Sequence, residues 1–241
     1  KECGCKVLSI VNVKGASIAR ASEYVIYTNA GPEIAVASTK AYTTQLAVLY
    51  LLTARMAMAR KLWSDEQMKE YMEELQRVPA VMEEVLKSKE EIHHIADTML
   101  NARDVFMIGR GLDYSILLEG SLKLKEISYI HSEAYASGEL KHGTIALITE
   151  ETPVIAVVTQ DKLKSKELSN IKEVQSRGAR VILLIKGQEE LEQEKIWSSI
   201  FRLPVMKDEF MVMPVSIVLQ LIAYYVSLDK GLDVDKPRNL A

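Results

Sequence analysis

The chain has 241 residues, 48% hydrophobic and 26% charged, a balance that supports one large or two small packed domains and argues against disorder. Thirty Lys and Arg against 33 Asp and Glu leave a net charge of −3, which is not the concentrated basic surface of a nucleic-acid binder. Cys3 and Cys5 cannot supply the four ligands of a structural zinc site, and no second cluster completes one. They read as reduced thiols at a helix–strand junction in a reducing, cytoplasmic compartment.

Lys1 and Glu2 lead straight into a strand-like run, so no signal peptide is expected. Lys6–Val13 (KVLSIVNV) and Tyr24–Tyr27 are short apolar runs rich in β-branched residues, fitting buried parallel strands. A small-residue loop, Thr28–Thr39, precedes a helix from Ser38 to Ala59, with Leu46, Leu49, Tyr50 and Leu52 on its apolar side. Ser64 with Gln67 predicts a capping box. A further helix is expected to start near Pro79, and Ser88 with Glu91 predicts another cap, on a helix ending near Leu100. A second unit then alternates strand and helix. Its strands are expected at Asp104–Ile108, Pro153–Thr159, Val181–Ile185 and near Phe201, and its helices at Asp113–Ser128, Lys162–Ser176 and Val215–Leu228. That alternation predicts a parallel sheet covered on both faces. The apolar stretch Met211–Leu228 reaches the minimum length of a membrane span, but Pro214 and Gln220 favour a buried helix, so no membrane is expected.

The densest polar cluster lies in Glu119–Gly143. At about 100° per residue, Glu119, Lys123 and Glu126 share one helix face, with Leu118, Leu122 and Ile127 packing beside it. A carboxylate held by an ammonium on a rigid helix suits proton transfer; the plain alternative is an i, i+4 salt bridge on a solvated face. His142 sits in a glycine-bounded turn, SGELKHG. His93 and His94, on a charged connecting helix, read as structural histidines without polar companions. Val36–Lys40 (VASTK) offers hydroxyls and free N–H groups at a helix start, for an anion or sugar, or Ser38 simply caps the helix. Arg110, in the GRG turn at Gly109–Gly111, would meet a phosphate or pair with a nearby acid.

Three strings, NAGPEIAVASTKAYTTQ, EGSLKLKEISYIHSEAYASGELKHG and DKPRNLA, resemble in content and order the isomerase half of the glucosamine-6-phosphate synthases, the glutamine–fructose-6-phosphate aminotransferases. The resemblance implies an α/β fold of tandem SIS (sugar-isomerase) domains, each a doubly wound parallel sheet flanked by helices. The first would be truncated at its N-terminus and would occupy residues 1–87 with connecting helices, the second 88–228, and a C-terminal tail 229–241. It implies amination of fructose 6-phosphate at C2 and proton transfer between C1 and C2, yielding glucosamine 6-phosphate without metal or organic cofactor. Glu126 matches the proton-shuttling base, His142 a ring-opening residue donated by the neighbouring subunit of a homodimer, and Lys123 and Glu119 supporting groups. Val36, Ser38, Thr39 and Ala241 match substrate-contacting positions. The family's glutaminase domain, phosphate-gripping loop and the lysine after PRNLA have no counterpart here, so this chain alone is expected to be inactive. The alternatives are a related SIS deglycase or isomerase, or a non-catalytic sugar-phosphate sensor.

Overall fold

The computed structural model describes residues 1–188 and 197–238 and divides into two compact units, Lys1–Gln76 and Arg77–Ala241. In the first, β1 (Leu8–Val11) and β2 (Tyr24–Tyr27) pair in parallel, Leu8 opposite Tyr24, with a short helix α1 (Ser17–Ala21) as the crossover. The strand expected from Lys6 to Val13 is shorter at both ends. Cys3 and Cys5 are free and exposed in the turn before β1, with no helix beside them. Helix α2 (Lys40–Ala59) follows, burying Ala54 and Ala57 and leaving Leu49 exposed.

The expected capping box is present: Ser64 N–H donates to Gln67 Oε1 at 2.9 Å, and Gln67 N–H donates back to Ser64 Oγ at 3.3 Å. It opens α3 (Asp65–Lys87), one continuous helix with Pro79 inside it rather than two. Proline forfeits one helical hydrogen bond, yet Val78, Val81 and Val85 bury the surrounding turns, and that burial outweighs the local cost. Ser88 does not cap α4 (Lys89–Asp97). Its φ of −89° and ψ of 19° keep the chain near helical, so the hydroxyl never reaches the next turn's N–H groups.

The second unit holds five parallel strands: β3 (Asp104–Gly109), β4 (His131–Ala136), β5 (Pro153–Val158), β6 (Arg180–Lys186) and β7 (Ser199–Leu203), in the order β4-β3-β5-β6-β7. Sequence reasoning missed β4. Its His131, Glu133 and Tyr135 lack the apolar run of a central strand because β4 lies at the sheet edge. Alternate residues divide the core between two faces: Phe106, Ile108, Val154, Ala156, Leu183 and Ile185 meet Ile171 and Val174 of α6 (Lys164–Gln175). On the other face, α5 (Leu112–Ser128) packs on β3 and β4, and α7 (Val212–Asp229) packs on α5 and α4. Helix α7 is long and apolar enough to cross a membrane, but it buries Val215, Val218, Leu219, Ile222 and Val226 within this unit, as a core helix does.

Because α5 is the crossover between parallel strands, it runs back from the C-terminal end of β3 to the N-terminal end of β4. Two features fix it there. Gly120 admits Leu219 of α7, since a Cβ at that position would lie 2.6 Å from Leu219 Cδ1. Ser121 Oγ donates to the Ser132 carbonyl, and Ser132 Oγ donates to the Ser121 carbonyl, both at 2.9 Å and both buried. The C-terminal half of α5 is thereby clamped to the start of β4, at the N-terminal edge of the sheet.

Candidate functional site

The C-terminal half of α5 carries the charged group expected from the spacing. Lys123 Nζ lies 2.8 Å from Glu126 Oε2 and 3.6 Å from Glu119 Oε1. The lysine is only 5% exposed, so this is a sheltered triad and not a solvated-face salt bridge. Its packing differs from expectation: Leu118 and Leu122 are exposed, while Leu117, Leu124 and Ile127 are buried. Burial pushes the Glu119 carboxyl above the ordinary carboxylate range; Lys123 opposes that shift and Glu126 adds to it. One ammonium therefore balances two carboxylates, and Glu126 presents one of them to a cleft.

The cleft, about 520 Å³, is bounded by Leu122, Lys125 and Glu126 of α5, by Tyr129, Ile130 and His131 of the following turn, and by Arg238. Tyr129 ends α5 in the left-handed conformation, φ 60°, which is uncommon for a bulky residue. Its hydroxyl accepts the Arg238 N–H at 2.8 Å, and the Arg238 guanidinium lies 4.1 Å from its ring centroid. Neither residue was singled out from the sequence. The signal was present in the PRNLA string, whose arginine is Arg238. His131 Nδ1 pairs with Asp104 Oδ1 at 2.7 Å on the same rim. Ala241 lies outside the described residues.

His142 is not part of this cleft. It ends a short 3-10 turn, Leu140–His142, beyond the C-terminal end of β4, whereas Glu126 lies at the strand's N-terminal end. The six residues of β4 span about 16 Å at ~3.3 Å per residue, so the two side chains belong to opposite edges of the sheet. His142 is exposed.

At the C-terminal edge, the switch point between β3 and β5 is where a doubly wound sheet usually takes a ligand. Here its own side chains form a hydrogen-bonded cluster. Arg110 donates to Asn170 Oδ1 through Nη2 at 2.9 Å and Nε at 3.2 Å, and its Nε lies 3.8 Å from Glu167 Oε2. The acid expected beside Arg110 is Glu167. Glu167 is 2% exposed; its Oε2 accepts the Ser137 hydroxyl at 2.5 Å, and its Oε1 has no partner among the described residues. Burial pushes its carboxyl up to about 7, eased by Ser137, reinforced by Asp113 and eased by Arg110. Asp113 is likewise pushed up by burial to about 6, although it accepts the Thr159 N–H at 2.8 Å. Neither buried acid was foreseen.

In the first unit the candidate residues Val36, Ser38 and Thr39 lie in the loop before α2, but Ser38 does not cap that helix. Glu33 does. Its Oε1 accepts the Thr39 N–H at 2.7 Å and its Oε2 accepts the Ser38 hydroxyl at 3.0 Å. Burial raises the Glu33 carboxyl, but bonds from Thr39, Ser38 and Ala41 outweigh it and leave the group below the ordinary range. A second cleft, about 730 Å³, adjoins this loop and includes Asn12, Lys14, Asn29, Gly31 and Glu33. Asn12 organises it, donating to the Gly31 carbonyl at 2.7 Å and accepting the Ala30 N–H at 2.9 Å.

Among the described residues, His93, Asp97 and Asp229 bring three ligand-type atoms within 4.8 Å of one another. His93 already pairs with Asp229 at 2.7 Å and stacks on Tyr225 at 4.2 Å, and His94 lies 3.8 Å from Asp97. Both histidines thus have the polar companions that sequence reasoning denied them.

The SIS domain model matches residues 1–55 and 98–229. The chain belongs to the SIS domain family. It is 51% identical, over its full length, to the glutamine–fructose-6-phosphate aminotransferase [isomerizing] of Caldanaerobacter subterraneus subsp. tengcongensis, and 46% identical over 98% of its length to the protein of that name from Methanosarcina acetivorans. It spans about 40% of the length of these curated relatives. Among solved structures, the C-terminal domain of glucosamine-fructose-6-phosphate aminotransferase from Francisella tularensis superposes with a TM-score of 0.91 at 42% identity, covering 95% of this chain and 65% of that one. The resemblance read from the three strings is borne out, as is the α/β SIS fold with its parallel sheet flanked by helices.

Proposed function

We propose that this chain is the isomerase part of an enzyme that converts fructose 6-phosphate and glutamine-derived ammonia to glucosamine 6-phosphate. The observation that carries the reading is Glu126, held at the edge of a cleft by a buried lysine on a clamped helix. An aldose–ketose shift needs one base that reaches two adjacent carbons. In the imine formed at C2, Glu126 takes a proton from C1 as the C1–H electrons form the C1–C2 double bond and the C2–N π pair moves onto nitrogen, which takes up a proton. It then returns its proton to C2 as the C1 hydroxyl gives up its proton and its electrons form the C1 carbonyl. Lys123 fixes the rotamer and balances the surplus negative charge.

His142 is the proposed ring-opening acid–base group. Its position at the far edge of the sheet supports its acting in a partner protomer's site, hence a homodimer. Val36, Ser38, Thr39 and Ala241 are the proposed sugar contacts. A glutaminase domain elsewhere in the full-length protein would supply the ammonia, and a cytoplasmic location suits such a metabolic step. The names of the curated relatives support this reading over a deglycase or a sugar-phosphate sensor.

The test is Glu126→Gln in the full-length protein, followed by exchange of the sugar's C1 and C2 protons with solvent deuterium. Exchange should fall by at least about 100-fold, the usual share of a positioned base. Turnover at the wild-type rate would remove Glu126 from the mechanism.

A further inference from the structure

Among the described residues, Tyr129 is the one aromatic with a positive φ. It also makes two separate contacts to a single residue more than a hundred positions away: its hydroxyl accepts the Arg238 backbone N–H, and its ring carries the Arg238 guanidinium. A helix C-cap in the left-handed region ordinarily takes glycine, which lacks the Cβ that makes the conformation unfavourable. Glycine would satisfy the backbone here at lower cost, so the phenol itself needs a reason to be present.

The surroundings supply one. Tyr129, Arg238 and Glu126 border the same cleft. The segment after α7 leaves that helix at Asp229, turns through Gly231 (φ 68°), makes an Asx turn in which Asp233 Oδ1 accepts the Asp235 and Lys236 N–H groups, and buries Pro237. Arg238 follows at once. Its guanidinium has no carboxylate partner among the described residues, so the Tyr129 ring is what holds it. Left-handed geometry at residue 129 turns the chain sharply between α5 and β4 and aims the phenol at the tail.

We propose that Tyr129 is a positioning residue: it anchors the C-terminal segment at Arg238 and so completes the wall of the cleft that Glu126 serves. The inference rests on the proposed function for its catalytic consequence, but not for the anchor itself. Two readouts separate them. Trypsin cleavage after Arg238 reports the anchor, because a guanidinium stacked on a ring is withheld from the protease; Lys236, followed by proline, does not compete. Exchange of the sugar's C1 and C2 protons reports the consequence.

In the full-length protein, Tyr129→Gly removes the phenol while relieving the backbone. It should be cleaved after Arg238 at least tenfold faster than wild type and lose at least tenfold in kcat/KM for exchange, with an unchanged or higher Tm. Tyr129→Phe keeps the ring and loses the acceptor, and should fall between the two in both readouts. Unaltered cleavage in Tyr129→Gly would overturn the anchor, and faster cleavage with unaltered exchange would overturn the positioning role. If Glu126→Gln leaves exchange intact, the catalytic reading fails, and the cleavage series still decides whether Tyr129 holds the tail.

Discussion

Glu167 offers a prediction whose size follows from the structure. A carboxyl raised by burial from 4.5 to about 7 holds its proton more tightly folded than unfolded. Its contribution to stability is complete below about pH 4.5 and is lost as pH rises through about 7. The gap corresponds to about 3 kcal/mol at ~1.36 kcal/mol per pH unit, of which about 2 kcal/mol is lost between pH 5.5 and 8. That is a sizeable share of a domain's 5–15 kcal/mol or so. Glu167→Gln mimics the protonated acid in shape and cannot ionise. Urea unfolding of both proteins at pH 5.5 and 8 should show the variant losing about 2 kcal/mol less than wild type across that interval. Asp113 titrates in both proteins, so its own contribution largely cancels in the comparison. Parallel declines would show that Glu167 is already neutralised by Arg110, 3.8 Å away, and would refute the argument.

Two other substitutions test separate parts of the molecule. Lys123→Met keeps the aliphatic stem but leaves Glu119 and Glu126 unbalanced; it should cost about 3 kcal/mol in thermal unfolding at pH 7. Part of that loss should return on acidification, because the Glu119 carboxyl, which burial pushes above the ordinary range, takes up its proton, and a variant as stable as wild type at pH 7 would show that the ammonium balances neither acid. Ser64→Ala removes half of the capping box at α3 and should lower stability by about 1 kcal/mol in urea unfolding, against no change for Ser88→Ala, whose hydroxyl caps nothing.

The legible parts of the sequence were those where local chemistry and tertiary packing agree. Val154, Ile155 and Val181–Ile185 are apolar because both faces of their strands are covered, and such runs read as central strands without help. Glu119, Lys123 and Glu126 meet because helix geometry alone brings them together. The misreadings have a common origin in partners distant along the chain. The edge strand β4 has a polar pattern that only its pairing with β3 explains. Pro79 is tolerated by valines packed around it. Glu33 caps α2 from outside the helix, which no spacing rule anticipates. Glu167 sits among lysines and serines in KSKELSNIKEVQ, a stretch that looks solvated until α6 turns this one acid toward Ser137 and Arg110. Tyr129 and Arg238 meet across 109 positions.

The placement of Glu126 and His142 at opposite edges of one sheet has a consequence for enzymology. If both act on one sugar, no isolated protomer holds a complete set of catalytic groups, and the number of working sites is governed by mass action between protomers. Specific activity would then fall on dilution with the dissociation constant of the assembly. Mixing a Glu126→Gln protein with a His142→Ala protein would restore up to about a quarter of the sites, because random pairing gives half heterodimers and each carries one intact site.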